Sequence, residues 1–332
     1  MPHMHSLLII GCGSIGERHL RCFQKTQRAT VSACDTSAAL LATMRERYGV
    51  ETFDSLDAAL AKGRFDAAVI CTPAPLHLPM ALKLVKAGLH VFIEKPLAID
   101  AAMAPQVRDA ITQAKRFAAV AYVYHNMPWV AATREFLRKD ALGQCLHAST
   151  STGQHFPTFR PAYRDIYYAR HDQGGGAVQD ALTHVVNAVE WIIGPTTRVF
   201  CDASHQALEG VKVEDTVNIC ARHGDILVSH AMNQFQAPNE SLFLFHCEKG
   251  SVRIEGHAQR WGTMRHGEKE WSWHQTPPME RDDIFIAQAS AFLDGMEGQT
   301  TSLCTFDEAL QTLKFNQAAL RSISTGLPIT LS

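Results

Sequence analysis

The stretch that decides the fold is residues 6–16, Ser-Leu-Leu-Ile-Ile-Gly-Cys-Gly-Ser-Ile-Gly. Its apolar half predicts a buried strand, and residues 14–25 have the spacing of an amphipathic helix. Between them lies a G-x-G-x-x-G pattern, whose glycines allow a tight turn, a close approach to a pyrophosphate, and close packing of helix on strand. Phosphates bind readily at such a helix N-terminus, whereas a glycine-rich turn without a ligand is the alternative. The expected ligand contacts are Gly11, Gly13, Ser14, Ile15 and Gly16.

The first 122 residues alternate short apolar runs with amphipathic stretches. The strand-like runs are residues 6–10, 30–34, 67–71, 91–93 and 118–122. The helical stretches between them are residues 14–25, 38–48, 76–87 and 101–114. Runs that are apolar throughout are typical of a parallel sheet buried on both faces. The pattern predicts an α/β fold, with a doubly wound Rossmann domain over residues 1–122.

The pattern changes after Tyr122. A helix over 130–139, a loop-rich region over 153–176 and a helix over 177–193 are followed by strand-like segments separated by turn residues. These segments are residues 199–207, 216–222, 226–235, 242–248, 251–255 and 270–274. They predict a second α/β domain over 123–332, with an open, mostly antiparallel sheet.

Two helices are predicted to close the chain, over residues 284–295 and 306–324. Thr305 and Glu308 form a capping-box pattern at the start of the last one. We expect this last helix to be able to pack back on the first domain.

Composition narrows the class of protein. A chain of 332 residues fits two domains of roughly 100–200 residues each. The 46% of hydrophobic residues excludes general disorder. The net charge of -2, with no basic stripe, argues against a nucleic-acid partner. No apolar run approaches the ~18 residues of a membrane span, so we expect a soluble, cytoplasmic protein without a membrane partner.

Cysteine and histidine raise the question of a metal. The nine cysteines are scattered and lack a Cys-x-x-Cys pair, which argues against a disulfide framework and a structural zinc site. The 17 histidines could serve metal binding or acid–base chemistry. Their spacing lacks pairs typical of metal ligands, so no metal site is predicted.

Asp35 ends the second predicted strand, 19 positions after Gly16 (35 minus 16). A carboxylate there accepts hydrogen bonds from adenosine ribose hydroxyls and repels a 2′-phosphate. No basic residue follows in Thr36 or Ser37, so NAD is favoured over NADP. A strand-end turn residue without a ligand is the alternative.

Two further segments carry candidate chemistry. Glu94-Lys95-Pro96 follows the predicted strand over residues 91–93, and ligands of open α/β sheets bind at the carboxyl ends of strands. A surface lysine at a strand exit is the alternative reading. Gly174–Gly176 precede a helix with Asp180, His184 and Asn187, which on a regular α-helix fall within roughly 60° of arc. Apolar residues on the other side of that helix can pack on a core, which leaves this polar face able to line a cleft. A polar face that is simply exposed to solvent is the alternative interpretation.

Taken together, the sequence resembles the Gfo/Idh/MocA family of oxidoreductases, which includes glucose–fructose oxidoreductase and inositol dehydrogenase, over nearly the whole chain. The matching segments are Gly11–Gly16, Thr72-Pro73 with His77, Glu94-Lys95-Pro96, and Gly174–Gly176 with Asp180 and His184. The resemblance implies a Rossmann domain and a second domain whose open sheet commonly forms an oligomer interface, here a homodimer or homotetramer. It implies active-site roles for Lys95, Asp180 and His184. The further cofactor contacts expected are Asp35, Thr72, Pro73, His77, Glu94 and Lys95.

The expected reaction is hydride transfer between NAD and a secondary alcohol of a sugar, inositol, sugar acid or glycoside. A base must take the hydroxyl proton, and an imidazole, with an ordinary pKa of ~6.5, suits His184 to this role. Lys95 is the other candidate base, and as a cation it can stabilise alkoxide charge. Asp180 can orient the sugar hydroxyl or the ammonium of Lys95.

Substrate contacts are expected from two segments: the loop before the glycine run, and residues 124–126, where the chain departs from the family pattern. The loop mixes Arg, Tyr and Asp, which read polyhydroxylated ligands, although structural hydrogen bonding of a long loop is the alternative. Many relatives have an Arg after the last strand of the first domain, where this chain has Tyr124-His125-Asn126. The candidate substrate contacts are Tyr124, His125, Asn126, His155, Arg160, Tyr163, Arg164 and Tyr167.

Two other functions fit the same motifs. One is an NAD-responsive sugar-binding regulator without turnover, which the presence of Lys95, Asp180 and His184 disfavours. The other is an NAD-recycling glycoside hydrolase that acts through a transient keto sugar, which the sequence leaves open.

Overall fold

The computed structural model describes residues 4–331, which form two compact units. The first unit comprises residues 4–126 and 280–309, and the second comprises residues 127–279 and 310–331. Each unit contains one sheet with helices packed on it. The predicted fold class, a Rossmann domain and a second α/β domain with an open sheet, is confirmed.

Sixteen strands lie within residues 4–331. In chain order they are β1 His5–Ile10, β2 Ala29–Cys34, β3 Thr52–Phe53, β4 Ala67–Ile70, β5 His90–Ile93, β6 Ala118–Val120, β7 Cys145–Gly153, β8 Arg198–Ser204, β9 Thr216–His223, β10 Ile226–Asn233, β11 Glu240–Cys247, β12 Gly250–Glu255, β13 Arg260–Arg265, β14 Ser272–Gln275, β15 Cys304–Thr305 and β16 Ile329–Thr330.

Ten α-helices are formed by the same residues. They are α1 Ser14–Lys25, α2 Ala38–Tyr48, α3 Leu56–Lys62, α4 His77–Lys86, α5 Ala104–Ala114, α6 Pro128–Arg138, α7 Phe156–Phe159, α8 Thr183–Ile193, α9 Arg281–Met296 and α10 Phe306–Thr325. The predicted capping box of α10 is confirmed, because the Glu308 N–H donates to Thr305 Oγ1 (3.2 Å) and the Thr305 N–H donates to Glu308 Oε2 (2.8 Å).

The sheet of the first unit has the strand order β15-β6-β5-β4-β1-β2-β3. Its neighbours pair in parallel except β15, which is antiparallel to β6. Leu7, Leu8 and Ile9 are fully buried, as expected for a strand covered on both faces. The six parallel strands end at one edge of the sheet, so the turns after β1, β2, β4 and β5 lie along that edge.

The first unit also takes in residues 280–309, which the sequence pattern had grouped with the second domain. Helix α9 packs on α1 through an ion pair and on β5 through aromatic rings. Arg21 Nη2 lies 2.7 Å from Asp282 Oδ1, and the Phe292 ring stacks on Phe92 with centroids 4.9 Å apart. Hydrophobic periodicity identifies a helix but not its packing partner, so this return of the chain was not predicted.

The sheet of the second unit has the order β14-β13-β12-β11-β7-β10-β9-β8-β16. It is antiparallel except for the pair β7 and β10, which is parallel. In β10 the buried Val228, His230 and Met232 alternate with more exposed residues, so one face of the strand is covered and the other is open.

Strand β7 lies at the centre of this sheet, although its sequence, Cys-Leu-His-Ala-Ser-Thr-Ser-Thr-Gly, predicted no strand. Its buried positions, Ala148, Thr150 and Thr152, are small or hydroxylated and show no apolar alternation. Thr150 Oγ1 hydrogen-bonds His230 Nδ1 of β10 at 2.9 Å, and burial lowers the pKa of His230 to about 3, which keeps its ring neutral. Thr150 thus gives this strand a polar side-chain contact across the sheet.

Candidate functional site

The glycine-rich turn follows β1 and opens α1. Gly11 has φ +91°, and a Cβ on it would lie 2.7 Å from the carbonyl oxygen of Cys71. A Cβ on Gly16 would lie 1.8 Å from the Gly11 oxygen. At Gly13, the N-cap of α1, an added Cβ would meet no atom within 4 Å. Two glycines are therefore required by the fold itself, and the third leaves open space at a helix N-terminus, as phosphate binding requires.

Asp35 follows β2 and its carboxylate lies against this turn. Oδ2 accepts the backbone N–H of Cys12 at 2.6 Å, and Oδ1 accepts that of Ser37 at 2.7 Å. The side chain is half-buried, and each oxygen keeps lone-pair capacity for another donor. A carboxylate fixed beside the glycine turn fits the ribose of a dinucleotide.

Thr72, Pro73 and His77 follow β4 at the same edge. His77 is buried, with Nε2 2.7 Å from the Thr72 oxygen and Nδ1 2.9 Å from the Pro96 oxygen. Its polar contacts thus tie the turn after β4 to the turn after β5. The structure gives His77 a bracing role at this edge of the sheet, while Thr72 and Pro73 are more exposed.

Glu94 and Lys95 follow β5, next to β4 in the sheet. Glu94 is buried, and its Oε1 lies 2.6 Å from Nε2 of His19 on α1. Glu94 Oε2 accepts the backbone N–H of Lys95 at 3.0 Å. Both carboxylate oxygens are thus engaged inside the first unit. The sequence pattern did not single out His19, whose only signal is its position three residues after Gly16.

The helix that bears Asp180 and His184 is not regular. Residues Ala177–Leu182 form a π-helix, and the α-helix begins at Thr183. The predicted angular spacing assumed a regular α-helix over 177–193 and is wrong for Asp180, since a π-turn holds more residues per turn. Such π segments recur at functional sites.

The three glycines before this helix allow its close approach to the loop. A Cβ on Gly175 would lie 2.3 Å from the Tyr168 oxygen, and the Gly176 N–H donates to that same oxygen at 3.0 Å. The Tyr167 hydroxyl consequently reaches Asp180, donating to Oδ1 at 2.6 Å. Asp180 and a predicted substrate contact are therefore neighbours.

The predicted polar face divides in the structure. Asp180 and His184 are half-buried, but Asn187 is only 1% exposed and donates from Nδ2 to Thr312 Oγ1 of α10 at 3.0 Å. The expectation that Asn187 shares the cleft-lining face is wrong, because α10 covers that side of α8. Sequence periodicity gave no sign of a helix that packs through Asn and Thr.

Glu214 and His171 hold the start of the π-helix. Glu214 Oε1 accepts the Val178 N–H at 2.9 Å, its backbone oxygen accepts the Ala177 N–H at 3.0 Å, and its other carboxylate oxygen contacts His171 Nε2. This hydrogen bond raises the pKa of His171 above its ordinary value. No motif pointed to Glu214, which lies far along the chain from the helix it caps.

Within the loop before the glycines, Tyr163 and Arg164 are used structurally. Tyr163 is 2% exposed and donates its hydroxyl to the Glu209 oxygen at 2.7 Å. Arg164 Nε donates to the same oxygen at 2.8 Å. These contacts favour structural hydrogen bonding, the alternative reading, for both residues. His155, Arg160 and Tyr167 are exposed.

Tyr124, His125 and Asn126 lie in a short 3₁₀ turn of the first unit. His125 is fully buried and its Nδ1 donates to the Ser302 oxygen at 2.9 Å, so its role here is to anchor the turn. Tyr124 and Asn126 are half-buried. Because its side chain is fully buried, His125 is poorly placed for the predicted contact with substrate.

Comparison with known proteins agrees with this geometry. Residues 6–122 match the family model for the NAD-binding Rossmann fold of the Gfo/Idh/MocA oxidoreductase family, and residues 130–253 match the model for its C-terminal domain. The chain belongs to the Gfo/Idh/MocA family. It is thus a member of an NAD-binding oxidoreductase family, and the predicted cofactor, NAD, is confirmed.

Individual relatives are distant. The chain is 25% identical over 207 residues to the uncharacterized oxidoreductase YdgJ of Escherichia coli, covering 61% of this chain and 58% of that protein. It is 23% identical over 329 residues to 1,5-anhydro-D-fructose reductase of Ensifer adhaerens, covering 96% of each. A solved levoglucosan dehydrogenase in complex with NADH and levoglucosan superposes with a TM-score of 0.89 at 18% identity, over 99% of this chain and 100% of that one.

Residues 4–331 contain neither a cluster of metal-binding side chains nor a helix suited to span a membrane. Their His, Cys, Asp and Glu side chains form no group of three able to hold a metal ion. Within the same residues, no helix combines the length and apolar character needed to cross a bilayer.

Proposed function

We propose that this protein is an NAD-dependent oxidoreductase that transfers a hydride between the nicotinamide and a secondary alcohol of a sugar, inositol, sugar acid or glycoside. One observation carries the proposal. A lysine follows β5 at the same sheet edge as the glycine turn after β1 and Asp35 after β2. A positioned cation beside a nicotinamide site suits the stabilisation of alkoxide charge.

Three side chains are assigned roles. His184 takes the proton of the reacting hydroxyl as general base, which spares the reaction a high-energy cation. Lys95 hydrogen-bonds the reacting oxygen, and Asp180 orients a substrate hydroxyl while its Oδ1 accepts from Tyr167. The nicotinamide, when bound, supplies the hydride acceptor.

The test is turnover with NAD across a panel of inositols, aldoses, sugar acids and glycosides, followed by the absorbance of NADH. His184→Ala, Lys95→Ala and Asp180→Asn should each lower kcat by roughly a hundredfold or more, while NADH binding persists. Lys86→Ala, an exposed lysine of α4, is the matched control and should leave kcat unchanged. Unaltered turnover in the three variants would refute the assignment.

The same assay separates the two alternative functions. Stoichiometric NADH identifies a dehydrogenase, whereas sugar release with only catalytic NAD identifies an NAD-recycling glycoside hydrolase. Binding of a sugar with no turnover of any kind identifies a regulator.

We further propose that the open face of the second sheet forms a homodimer or homotetramer interface. Phe200 of β8 and Leu227 of β10 are 42% and 46% exposed, at positions that alternate with buried residues. Exposed apolar side chains gathered on one sheet face are typical of an association surface.

A further inference from the structure

A buried histidine–glutamate pair joins two parts of the first unit that the proposed mechanism treats separately. His19 lies on α1, the helix that opens at the glycine turn, and is fully buried. Its Nε2 is 2.6 Å from Oε1 of Glu94, which is 7% exposed. Glu94 directly precedes Lys95, so the pair connects the dinucleotide-binding helix to the lysine turn.

The surroundings of His19 fix which of its nitrogens carries the proton. Phe92 and Phe285 meet the imidazole edge-on, with centroids 5.5 and 5.6 Å away. Nδ1 is buried and has no hydrogen-bond partner among residues 4–331. A proton on Nδ1 would lack an acceptor, whereas a proton on Nε2 has the Glu94 carboxylate. His19 is therefore the donor to Glu94.

The orientation of the Glu94 carboxylate in turn constrains the backbone of Lys95. Its second oxygen, Oε2, accepts the backbone N–H of Lys95 at 3.0 Å. A buried carboxylate whose orientation is set by one donor presents its other oxygen in a defined direction. Without the His19 donor, the carboxylate would be free to turn and the Lys95 backbone would lose a fixed acceptor.

We propose that His19 is a positioning residue for Lys95: acting through Glu94, it fixes the backbone of the lysine relative to the helix that holds the dinucleotide. The purpose of this coupling rests on the proposed function, because it assigns Lys95 to the reaction. The coupling itself is a property of the fold and can be measured without a substrate.

The first experiment measures hydrogen exchange at the Lys95 amide. His19→Leu, which removes the donor and keeps the bulk, should accelerate this exchange, and His19→Gln, which restores an N–H donor, should reverse the effect. His5→Leu is the matched control: His5 Nε2 lies 2.9 Å from Glu297 Oε1 at the amino end of β1, away from the lysine turn. It should leave Lys95 exchange unchanged.

The second experiment measures kcat and the dissociation constant of NADH. Misplacement of the lysine should lower kcat by roughly tenfold to a hundredfold, with the NADH dissociation constant changed by no more than roughly twofold. His19→Gln should recover kcat, and His5→Leu should keep it. A purely structural role would instead lower thermal stability in both leucine variants without separating kcat from binding.

The outcomes are distinct for the two proposals. Unchanged Lys95 exchange in a folded His19→Leu variant would overturn the coupling, whatever the activity. Faster exchange with unchanged kcat would overturn the positioning role. If His19→Leu does not fold, Glu94→Gln keeps the His19 contact and removes the Lys95 acceptor, and should both accelerate exchange and lower kcat. A wild-type protein inactive on the whole panel would refute the proposed function, while the exchange result would still decide the coupling.

Discussion

Asp35 is the residue on which we expect cofactor choice to depend, because its carboxylate lies beside the glycine turn and accepts the Cys12 N–H at 2.6 Å. Its second contact, to the Ser37 N–H, fixes the carboxylate without using its full accepting capacity. The sequence pattern identified this residue from its position after the second strand alone.

Replacing Asp35 by Ala should weaken NADH binding by roughly tenfold or more, since a hydrogen bond to a charged group contributes about 1.5–3 kcal/mol. NADPH binding should weaken less, because a repelling charge is removed at the same time. Asp54→Ala, at an exposed position after β3, is the control. Fluorescence titration with both nucleotides measures the effect, and equal losses for both would contradict the ribose assignment.

Replacing each of two tyrosines of one loop by Phe should have opposite effects on kcat and on stability. Tyr167→Phe removes the donor to Asp180 and should lower kcat by about tenfold while thermal stability is kept. Tyr163→Phe removes a buried hydroxyl bonded to Glu209 and should cost about 1 kcal/mol of unfolding free energy with kcat unchanged. Steady-state kinetics and thermal denaturation on both variants give the comparison. A loss of kcat in Tyr163→Phe alone would reverse the two roles.

At the scale of elements, substitutions in the glycine turn should distinguish a glycine that the fold requires from a glycine that only ligand binding requires. Gly16→Ala should abolish folding, because its Cβ would overlap the Gly11 oxygen at 1.8 Å. Gly13→Ala meets no atom within 4 Å and should fold normally. It should nevertheless weaken NADH binding by roughly tenfold or more, since the methyl group fills the space over the helix N-terminus. Circular dichroism and NADH titration distinguish the two, and normal binding by Gly13→Ala would contradict the phosphate site.

The start of the π-helix that bears Asp180 is held by a contact between His171 and Glu214, and the strength of this contact depends on pH. Glu214 raises the pKa of His171, so the protonated ring stabilises the fold. This contribution is complete below the ordinary pKa of ~6.5 and is lost as the pH rises through the raised folded-state pKa. The Tm difference between wild type and His171→Asn should therefore shrink with rising pH. His155→Asn, at an exposed histidine, should show no such trend; a constant difference for His171→Asn would contradict the assignment.

At the scale of the whole molecule, the proposed interface on the second sheet gives a test of assembly. Leu227→Asp places a charge on the open face and should shift the protein toward monomer in size-exclusion chromatography with light scattering. Leu327→Asp changes a leucine that is 61% exposed between α10 and β16, and should leave the oligomer intact. An unchanged mass for Leu227→Asp, or a monomeric wild type, would remove this face as the interface.

Local sequence determined the elements whose signals are local. The run before Gly11, the three glycines and Asp35 predicted the Rossmann strand, turn and cofactor, because their spacing follows from backbone geometry. Thr305 and Glu308 fixed the start of α10 for the same reason. Lys95, Asp180 and His184 were chosen from motif context and the family resemblance, and their roles remain predictions.

Tertiary structure alone decided what depends on partners far apart in the chain. Strand β7 lies between β11 and β10 at the centre of its sheet, and Glu214 caps a helix 36 residues away. Helix α10 buries Asn187. The Glu209 backbone oxygen accepts hydrogen bonds from Tyr163 and Arg164. His19 contacts Glu94, which is 75 residues away in the sequence. Periodicity reports which side of an element is apolar, whereas a buried polar side chain is explained only by the partner that folding brings to it.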